Sequence, residues 1–354
     1  MNTLNESKTD VVIVGGGPIG LETAVVLQRA GLKATILEAG SIGNTMSWWA
    51  PQTRWFSSNE RIAIAGVPLL TTDQTKCTRE QYLSYLCGVA MQFRLQIRCY
   101  ERVESIERVG SELWILSRSQ SGTQRTKCRA VVLATGGTDR PRRLRIPGED
   151  LPHVDHYLRE PHRYFGRQVL IVGGRNSAVE AALRLHHCGA QVTLSYRQAE
   201  LNELGLKYWL LPEIRGLIAP GKIGSHFGTS PKQITNSHVV LATNENATPL
   251  EVACDNVLVQ IGYEQDKSLM QNAGIQLSGD NARPTFNEDT METNVPGVYV
   301  AGTAIAGTQS SSYKIFLENC HGHANKIAAH LTGQCEQQVP QTTGHCEVYA
   351  EPES

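Results

Sequence analysis

The sequence predicts an α/β protein built on two Rossmann-like dinucleotide-binding units. Two apolar stretches, VVIV at 11–14 and QVLIV at 168–172, each run into a glycine turn and then into a helical pattern. That succession is typical of a buried parallel strand in a βαβ unit. A segment rich in proline and charge, RPRRLRIPGEDLP at 140–152, lies between them and is typical of a linker between domains.

The first βαβ unit is complete in the sequence. Apolar residues recur at helical spacing between Gly20 and Gly31, and Gly31 is a suitable helix stop. The stretch ATILEAG at 34–40 then predicts a second strand that ends at Glu38.

Three glycines of this unit, Gly15, Gly17 and Gly20, form the pattern G-x-G-x-x-G. The first permits a tight turn, the second lets a pyrophosphate approach the helix N-terminus, and the third lets the helix pack closely on the strand. Glu38 follows at about the expected 20 residues, where a carboxylate accepts hydrogen bonds from ribose hydroxyls. Strand, helix and acid together predict a dinucleotide site.

The chain between the two units predicts mixed structure. Residues 48–70 are irregular and aromatic, and a helix follows around 79–92. Alternating strands through 97–134 predict an antiparallel meander, and VVLATGG at 131–137 predicts another buried strand.

The second unit departs from the glycine pattern. Gly173 and Ala178 occupy the first and third positions, whereas Arg175 replaces the second glycine. Asn176 and Ser177, at the start of the predicted helix, are residue types suited to a helix N-terminus. We therefore predict a working site in which the Arg175 guanidinium clamps phosphates, the alternative being a decayed turn.

The second strand of this unit, QVTLSYR at 191–197, ends in Tyr196-Arg197 rather than in an acid. Because an arginine can pair with a 2′-phosphate, this end favours NADPH over NADH; the alternative is that Arg197 is only a solvated surface residue. Two nucleotide sites in one chain predict a flavin that receives hydride from a nicotinamide.

The C-terminal part adds strands and a helix. NVLVQIG at 256–262 predicts a short strand, and TNVPGVYVAGTA at 293–304 predicts a turn, a strand and a glycine turn. A last helix of about 20 residues is expected from roughly Ile315. The tail at 336–354 is polar, and we expect it to be flexible.

Composition excludes several classes of partner. The 354 residues include 33 Lys and Arg against 34 Asp and Glu, a balance that argues against nucleic acid or an anionic membrane. The N-terminus lacks a signal-peptide pattern, and no apolar run is long enough to span a bilayer. Nine scattered cysteines without a C-x-x-C indicate reduced thiols in a cytoplasmic protein and no metal site.

These motifs resemble the thioredoxin-reductase-like flavoproteins, and more closely their bacillithiol-disulfide-reductase-like branch. The resemblance covers most of residues 10–333. The stretches that carry the closer resemblance are FSSNERIAIAGVP (56–68), HVDHYLREPHRYFGRQV (153–169), GGRNSAVEAALRL (173–185), YRQAELNELGLKYWLLP (196–212), AGTAIAG (301–307) and KIFLEN (314–319).

The resemblance implies that the cofactors are FAD and NADPH. It further implies that residues 1–147 and 254–335 form a discontinuous FAD-binding domain, into which residues 148–253 are inserted as the NADPH-binding domain. The residues implied to line FAD are Gly15, Gly17, Pro18, Gly20, Glu38, Ala134, Thr135, Gly136, Gly302 and Thr303. Those expected to line NADPH are Gly173, Gly174, Arg175, Asn176, Ser177 and Arg197.

The sequence departs from the wider group at three places. HVDHYL stands where thioredoxin reductases carry a C-x-x-C, so reduction of thioredoxin by that route is not expected. Gly302-Thr303 replaces the Gly-Asp whose carboxylate holds the FAD ribityl chain, although a hydroxyl can still bond there. Ile19 replaces a cysteine to which the branch assigns a catalytic role. Disulfide reduction then needs another chain cysteine or a substrate thiolate, unless the substrate is not a disulfide.

Cys320 is the candidate catalytic substitute, because a thiol near a helix N-terminus can have a lowered pKa; the alternative is a small buried filler. His153, His156 and His162 lack a clean ligand spacing, so a surface role is expected. The aromatic residues between 48 and 56 are expected to form a wall of the flavin site.

The leading function is therefore NADPH-dependent reduction, through FAD, of the disulfide of a low-molecular-weight thiol. Two alternatives stay open. One is a reductase whose acceptor is a small redox protein, a ferredoxin or a flavodoxin, and the other is a non-catalytic redox sensor. The resemblance also implies a homodimer.

Overall fold

The computed structural model describes residues 5–243, 248–308 and 315–334, and these divide into two compact units. The first unit comprises the described residues up to Trp48, from Gln52 to Asp139, and from Glu264 onward. The second comprises Trp49–Pro51 and Arg140–Tyr263, so its chain is inserted into that of the first. The tail at 336–354, predicted to be flexible, lies outside the described residues.

The chain up to Asp139 begins with a short strand and a βαβ unit, continues through three helices and ends in a run of strands. In chain order the elements are β1 (Asn5–Lys8), β2 (Val11–Val14), α1 (Pro18–Arg29), β3 (Ala34–Leu37), α2 (Asn44–Ser47), α3 (Asn59–Ile62), α4 (Arg79–Gln92), β4 (Gln96–Arg98), β5 (Arg102–Val109), β6 (Glu112–Ser119), β7 (Gly122–Cys128) and β8 (Ala130–Leu133).

The remaining elements are mostly strands, with four α-helices among them in the described residues. They are β9 (Arg140–Pro141), β10 (Val154–Asp155), β11 (Gln168–Val172), α5 (Asn176–His187), β12 (Gln191–Tyr196), α6 (Leu210–Ile218), β13 (Gly224–Phe227), β14 (Thr229–Ile234), β15 (His238–Thr243), β16 (Leu250–Ala253), β17 (Asn256–Val259), β18 (Tyr263–Glu264), α7 (Ser268–Asn272), β19 (Leu277–Ser278), β20 (Arg283–Pro284), β21 (Val298–Val300) and α8 (Gly322–Thr332).

The first unit is built around a five-stranded parallel sheet in the order β21-β8-β2-β3-β4. Strand β2 lies in its middle, which explains why VVIV is apolar at every position: Val11, Val12 and Ile13 have no exposed surface. Val14 pairs with both Leu37 and Leu133, so the carboxyl ends of three strands meet at one edge. That edge is where a parallel sheet places its ligands.

A second sheet of this unit contains the predicted meander. Strands β5, β6 and β7 are antiparallel neighbours, and β1 adds to β7 in parallel. The prediction was wrong for β4, at the start of the stretch, which pairs in parallel with β3 and extends the other sheet. Its Ile97 is opposite Ile36, and a pairing so distant in sequence leaves no local signal.

The second unit repeats the parallel architecture in the order β10-β17-β11-β12-β13, beside an antiparallel sheet β14-β15-β16. Its strand β17 hydrogen-bonds to β11, with Val169 opposite Asn256, so residues 254–263 belong to this unit and not to the first. Residues 140–147 also belong to it, because the Arg142 N–H donates to the Gly262 carbonyl at 2.9 Å. The boundaries expected at 147 and 253 therefore move outward on both sides.

Helices α1, α4 and α5 form where the apolar periodicity predicts them. The last helix is the exception, because α8 begins at Gly322 rather than near Ile315. A 3-10 turn, Leu317–Asn319, precedes it. Leu317 and Cys320 are both buried, and a spacing of three residues suits a 3-10 turn as well as an α-helix. None of the described helices is long and apolar enough to cross a membrane.

Candidate functional site

The first glycine turn connects β2 to α1 and is sterically closed to side chains at two positions. Gly15 has φ +111°, and a Cβ there would overlap the carbonyl oxygen of Ala134. A Cβ at Gly20 would overlap the carbonyl oxygen of Gly15. These two glycines are therefore explained by the turn itself and by the close packing of α1.

Gly17 is not explained by packing. Its backbone is extended, with φ −81° and ψ −177°, and an added Cβ would meet nothing within 4 Å. Gly17 is the N-cap residue of α1, and Pro18 follows at the first helical position. The first N–H groups of a helix have no intrahelical acceptor and attract anions, so this open cradle fits the pyrophosphate of a dinucleotide such as FAD.

Glu38 closes the site at the end of β3. Its carboxylate is buried and accepts the Gly16 N–H at 2.6 Å and the Gly40 N–H at 2.7 Å. Both oxygens are thus held by the backbone, while each keeps acceptor capacity for a further donor. The position and orientation of Glu38 therefore suit the ribose hydroxyls that the sequence assigns to it.

Two further turns of the predicted FAD site are brought together by a residue that the sequence analysis missed. The Gln265 side-chain amide donates to the carbonyl of Gly136 at 3.0 Å and to that of Ala304 at 2.9 Å. A Cβ at Gly136 would lie 4.0 Å from the Thr303 hydroxyl. Ala134 to Gly136 and the Gly302-Thr303 turn are therefore neighbours, whereas the sequence near Gln265 contains no motif that would reveal its role.

The turn at Gly302 is also held from α8. The Gly302 N–H donates to Nδ1 of His323 at 3.1 Å, which places the ring proton on Nε2. Burial, with the positive charges of Lys326 and His321, lowers the pKa of His323 to about 4. His323 is therefore a neutral imidazole at physiological pH and acts as a hydrogen-bond acceptor within the fold.

A buried ion pair joins α1 to the start of α8. The His321 imidazole donates from Nδ1 to a Glu22 carboxylate oxygen at 2.7 Å and from Nε2 to the Arg61 carbonyl at 2.9 Å. Both ring nitrogens face acceptors, so the ring carries two protons and a positive charge. The other Glu22 oxygen accepts the Ala65 N–H at 3.0 Å.

The charge of this pair follows from its surroundings. Burial by itself would lower the pKa of His321, but the hydrogen bond and negative charge of Glu22, with the Arg61 carbonyl, outweigh it and raise that pKa. A second bond ties the same segments together, because the Ser57 hydroxyl donates to Glu318 at 2.7 Å. The segment 56–68 is thereby hydrogen-bonded to α1, to the 3-10 turn at 317–319 and to His321 at the start of α8.

The structure does not support Cys320 as a nucleophile. The side chain has no exposed surface, and its thiol lies 3.1 Å from the Phe316 carbonyl oxygen, to which it donates. Burial, together with the negative charges of Glu318 and Glu22, raises the pKa of Cys320 far above its usual range. The expected lowering by a helix N-terminus is absent because Cys320 precedes α8 inside the core.

Ile19 is the residue that, by the resemblance, stands at a cysteine position of the bacillithiol-disulfide-reductase-like branch. It is buried on α1, and a Cβ built at Gly302 would lie 3.2 Å from the Ile19 Cβ. The side chain therefore packs against the turn that carries Thr303, and it supplies apolar surface instead of a thiol.

The second glycine turn connects β11 to α5 and keeps the geometry of the first. Gly173 has φ +144°, and a Cβ there would overlap the Gln260 carbonyl and come within 3.0 Å of the Ala178 Cβ. A Cβ at Gly174 would overlap the ring of Tyr196, which packs on the turn. The turn is therefore intact although its second glycine is an arginine.

Two cations lie at this turn. Arg175 is the N-cap residue of α5 and is exposed, and Arg197 is exposed beside Tyr196. Neither guanidinium makes a hydrogen bond or ion pair with any residue that the structure describes. Because an arginine can bind phosphate bidentately, both fit the phosphates of NADPH, the former near the pyrophosphate and the latter at the strand end.

The other two residues predicted at this turn, Asn176 and Ser177, have different surroundings. The Asn176 side-chain oxygen accepts the Lys207 N–H at 2.8 Å, so its acceptor holds a loop. Ser177 is exposed on the first turn of α5. The helix has no side-chain cap, so the suitability of these two residues for capping is not realised.

The three histidines of the sequence analysis differ in their surroundings: Nε2 of His153 and Nδ1 of His156 are buried and have no hydrogen-bond partner among the described residues, so a surface role does not describe these two. His162 is exposed and lies 3.0 Å from Glu160, and burial lowers the pKa of His156. Across residues 5–243, 248–308 and 315–334, no group of three or more His, Cys, Asp or Glu is arranged to hold a metal. The Trp55 ring packs on Tyr82 with centroids 4.6 Å apart.

Two glycine turns at the carboxyl edges of two parallel sheets define an α/β protein that binds two dinucleotides. The chain belongs to the pyridine nucleotide-disulphide oxidoreductase family, whose family model matches residues 12–302. The protein is accordingly a flavoprotein oxidoreductase that uses FAD and NADPH, and the predictions of its class and cofactors are confirmed.

Individual relatives agree with the resemblance found in the sequence. The chain is 35% identical to the bacilliredoxin reductase Bdr of Bacillus subtilis (strain 168), over 90% of this chain and 96% of that protein. The solved structure of bacillithiol disulfide reductase Bdr from Bacillus cereus is 34% identical and has a TM-score of 0.87, covering 92% of this chain and 99% of that one. A ferredoxin–NADP reductase of Ignicoccus hospitalis is 26% identical over 83% of this chain and 89% of that protein.

The contrast between Gly17 and Gly20 predicts that cofactor binding and stability depend on different glycines of the first turn. Gly17→Ala should leave the unfolding free energy within about 0.5 kcal/mol of wild type, since its Cβ meets nothing, but should weaken FAD binding about tenfold or more. Gly20→Ala should destabilise the apoprotein by about 1–3 kcal/mol through overlap with Gly15. Urea unfolding and FAD titration measure both, and unchanged FAD binding in Gly17→Ala would contradict the placement of the pyrophosphate.

The buried pair predicts a pH-dependent stability. Glu22→Gln should cost about 3–5 kcal/mol at pH 6, because it leaves His321 charged and buried without its counterion. The folded pKa of His321 is raised, so the contribution of the pair is complete below its unfolded pKa of about 6.5 and is lost as the pH rises through the folded value. The difference between wild type and variant in urea unfolding should therefore shrink above about pH 6.5. Exposed Glu60→Gln serves as the control, and a difference that does not vary with pH would refute the charged pair.

Proposed function

We propose that this protein reduces the disulfide of a low-molecular-weight thiol at the expense of NADPH. The observation that carries the proposal is the likeness to bacilliredoxin reductase Bdr and bacillithiol disulfide reductase Bdr, which extends over nearly the whole chain. The overall reaction is RSSR + NADPH + H⁺ → 2 RSH + NADP⁺, and bound FAD would supply the means of passing the two electrons from the nicotinamide to the disulfide.

The residues of the first unit would hold FAD. The helix N-terminus at Gly17 and Pro18 would bind the pyrophosphate, and the Glu38 carboxylate would accept from the ribose. The adjoining turns at Ala134, Thr135 and Gly136 and at Gly302 and Thr303 would line the flavin side, with Gln265 fixing their spacing. The Thr303 hydroxyl would replace the usual aspartate toward the ribityl chain.

The residues of the second unit would hold NADPH and select it over NADH. Gly173 and Gly174 would let the backbone approach the pyrophosphate, with Ser177 exposed on the same turn. Arg175 would clamp the pyrophosphate common to both nucleotides, and Arg197 would pair with the 2′-phosphate that only NADPH carries. Asn176 would contribute indirectly, by holding the backbone at Lys207.

The absence of a thiol at Ile19 shapes the second half of the reaction. Cys320 is buried with a raised pKa, and burial likewise raises the pKa of Cys128 to about 12 and of Cys254 to about 11. These surroundings favour protonated thiols, which are poor nucleophiles. We therefore infer that the substrate disulfide is cleaved without a covalent intermediate on Cys320.

The second candidate function is reduction of a protein acceptor of the ferredoxin or flavodoxin kind. The likeness to a ferredoxin–NADP reductase favours it, as does the lack of a C-x-x-C.

A homodimer and a cytoplasmic location complete the proposal, and sedimentation analysis of the purified protein tests the homodimer.

The deciding measurement is anaerobic reduction followed by reoxidation of the flavin. NADPH should bleach the visible flavin absorbance, and bacillithiol disulfide should restore it at a rate that Cys320→Ser leaves unchanged. Recovery with ferredoxin or flavodoxin but not with the disulfide would favour the second candidate. A flavin that NADPH does not bleach would support the redox sensor and refute both enzymes.

The two arginines predict different kinetic defects. Arg197→Ala should raise KM for NADPH about tenfold and leave KM for NADH unchanged, because it removes a charge-assisted bond worth about 1.5–3 kcal/mol. Arg175→Ala should raise both KM values. Exposed Arg167, which precedes β11 at the opposite end of the strand, provides the control Arg167→Ala. Equal effects of Arg197→Ala on both nucleotides would contradict its role in selection.

A further inference from the structure

Two cysteines of the first unit line one shallow pocket of ≈ 390 Å³. Cys87 lies on α4 and is exposed, and Cys99 directly follows β4 and is half-buried. The remaining wall is contributed by residues such as Ile42, Leu83 and Tyr100. Two thiols thus face a common space that opens to solvent on a unit where other cysteines, Cys77, Cys128 and Cys320 among them, are buried.

The pocket adjoins the carboxylate that closes the first dinucleotide site. The Glu38 N–H donates to the Arg98 carbonyl at 3.0 Å, and the Glu101 N–H donates to the Glu38 carbonyl at 2.9 Å. These two bonds lie on either side of Cys99 in the sequence, so they hold the backbone at Cys99 next to that of Glu38. A covalent change at Cys99 would therefore act on the backbone that holds Glu38.

The two thiols differ in reactivity for physical reasons. Cys87 is exposed and is therefore accessible to a small oxidant. Burial, and after it the charge of Glu38, raises the pKa of Cys99, and the charge of Cys87 adds to this effect. The effect of the Cys87 charge on the pKa of Cys99 agrees with the position of both side chains around one pocket. Cys87 is thus suited to react first and Cys99 to react second.

We propose that Cys87 and Cys99 form a redox modification site, which low-molecular-weight disulfides oxidise to an intramolecular disulfide. The Cys87 thiolate attacks one sulfur of a disulfide RSSR, the S–S bond breaks, and RS⁻ leaves and takes up the proton that Cys87 gave up. Cys99 then attacks the Cys87 sulfur, and a second RSH leaves. The two chain thiols lose two electrons in total, and RSSR gains them as two RSH.

The product has a structural consequence. A disulfide requires Cα atoms about 4.4–6.8 Å apart, so its formation would fix the loop after β4 against α4 at that separation. The Glu101–Glu38 bond lies in that loop, and its loss would weaken the hold on Glu38. This consequence rests on the proposed placement of FAD at Glu38, whereas the modification itself does not.

Glutathione disulfide, added to the FAD-loaded protein without NADPH, tests the site independently of turnover. Trypsin separates the two thiols, because Cys87 lies in the peptide 80–94 and Cys99 in the peptide 99–102. Mass spectrometry should find these two peptides joined in wild type. Cys99→Ser should stop the reaction at one glutathione on Cys87, and Cys87→Ser should slow modification of Cys99 on the order of tenfold.

The half-buried Cys188 of the second unit gives the matched control, because Cys188→Ser should still form the joined peptides. Separate peptides in wild type, or glutathione on Cys87 no faster than on Cys188, would overturn the proposal. Oxidised protein should release FAD about fivefold faster, the equivalent of one hydrogen bond of about 1 kcal/mol. Joined peptides with unchanged FAD release would overturn the link to Glu38.

Discussion

The steric closure of the two glycine turns is the constraint on which the rest of the structure depends. In each unit a carbonyl oxygen of the adjoining chain, that of Ala134 or of Gln260, occupies the space where a side chain would begin. The strand must therefore reverse into its helix at a glycine with positive φ. That reversal directs the unpaired N–H groups of α1 and α5 toward the edge where the parallel strands end. A site for a pyrophosphate follows from backbone geometry before any functional side chain is considered.

The two units differ in how their charges are used. In the first, buried polar groups satisfy one another: His321 pairs with Glu22, and Ser57 bonds Glu318. A satisfied network of this kind rigidifies its surroundings, which suits the FAD that we propose for this unit. In the second, Arg175 and Arg197 are exposed and make no ion pair within the described residues, which suits a nucleotide that binds and leaves. The two turns thus share a backbone geometry and differ in the side chains around them.

Cysteine chemistry in this chain is decided by environment rather than by number. Cys320 lies next to a helix start, yet its pKa is raised because it is enclosed and faces the charges of Glu318 and Glu22. Cys87, on a surface helix without any motif, faces open solvent and a second thiol. Burial shields a thiol from reagents and also disfavours its thiolate form. An exposed thiol is accessible to reagents. The reactivity of a cysteine in this chain therefore depends on tertiary packing, which the adjacent residues in the sequence do not indicate.

The sequence by itself determined the two βαβ units, the glycine positions and Glu38, because these depend on local rules: apolar runs form buried strands, helical spacing forms α1 and α5, and a turn with positive φ requires glycine. It placed α8 too early and assigned β4 to the wrong sheet, since both depend on distant partners. Only the tertiary structure decided that Gln265 joins two turns, that the carboxylate of Glu22 raises the pKa of His321, and that Cys320 is buried with a raised pKa. Each of these outcomes depends on residues far apart in the chain, and burial and charge act through space.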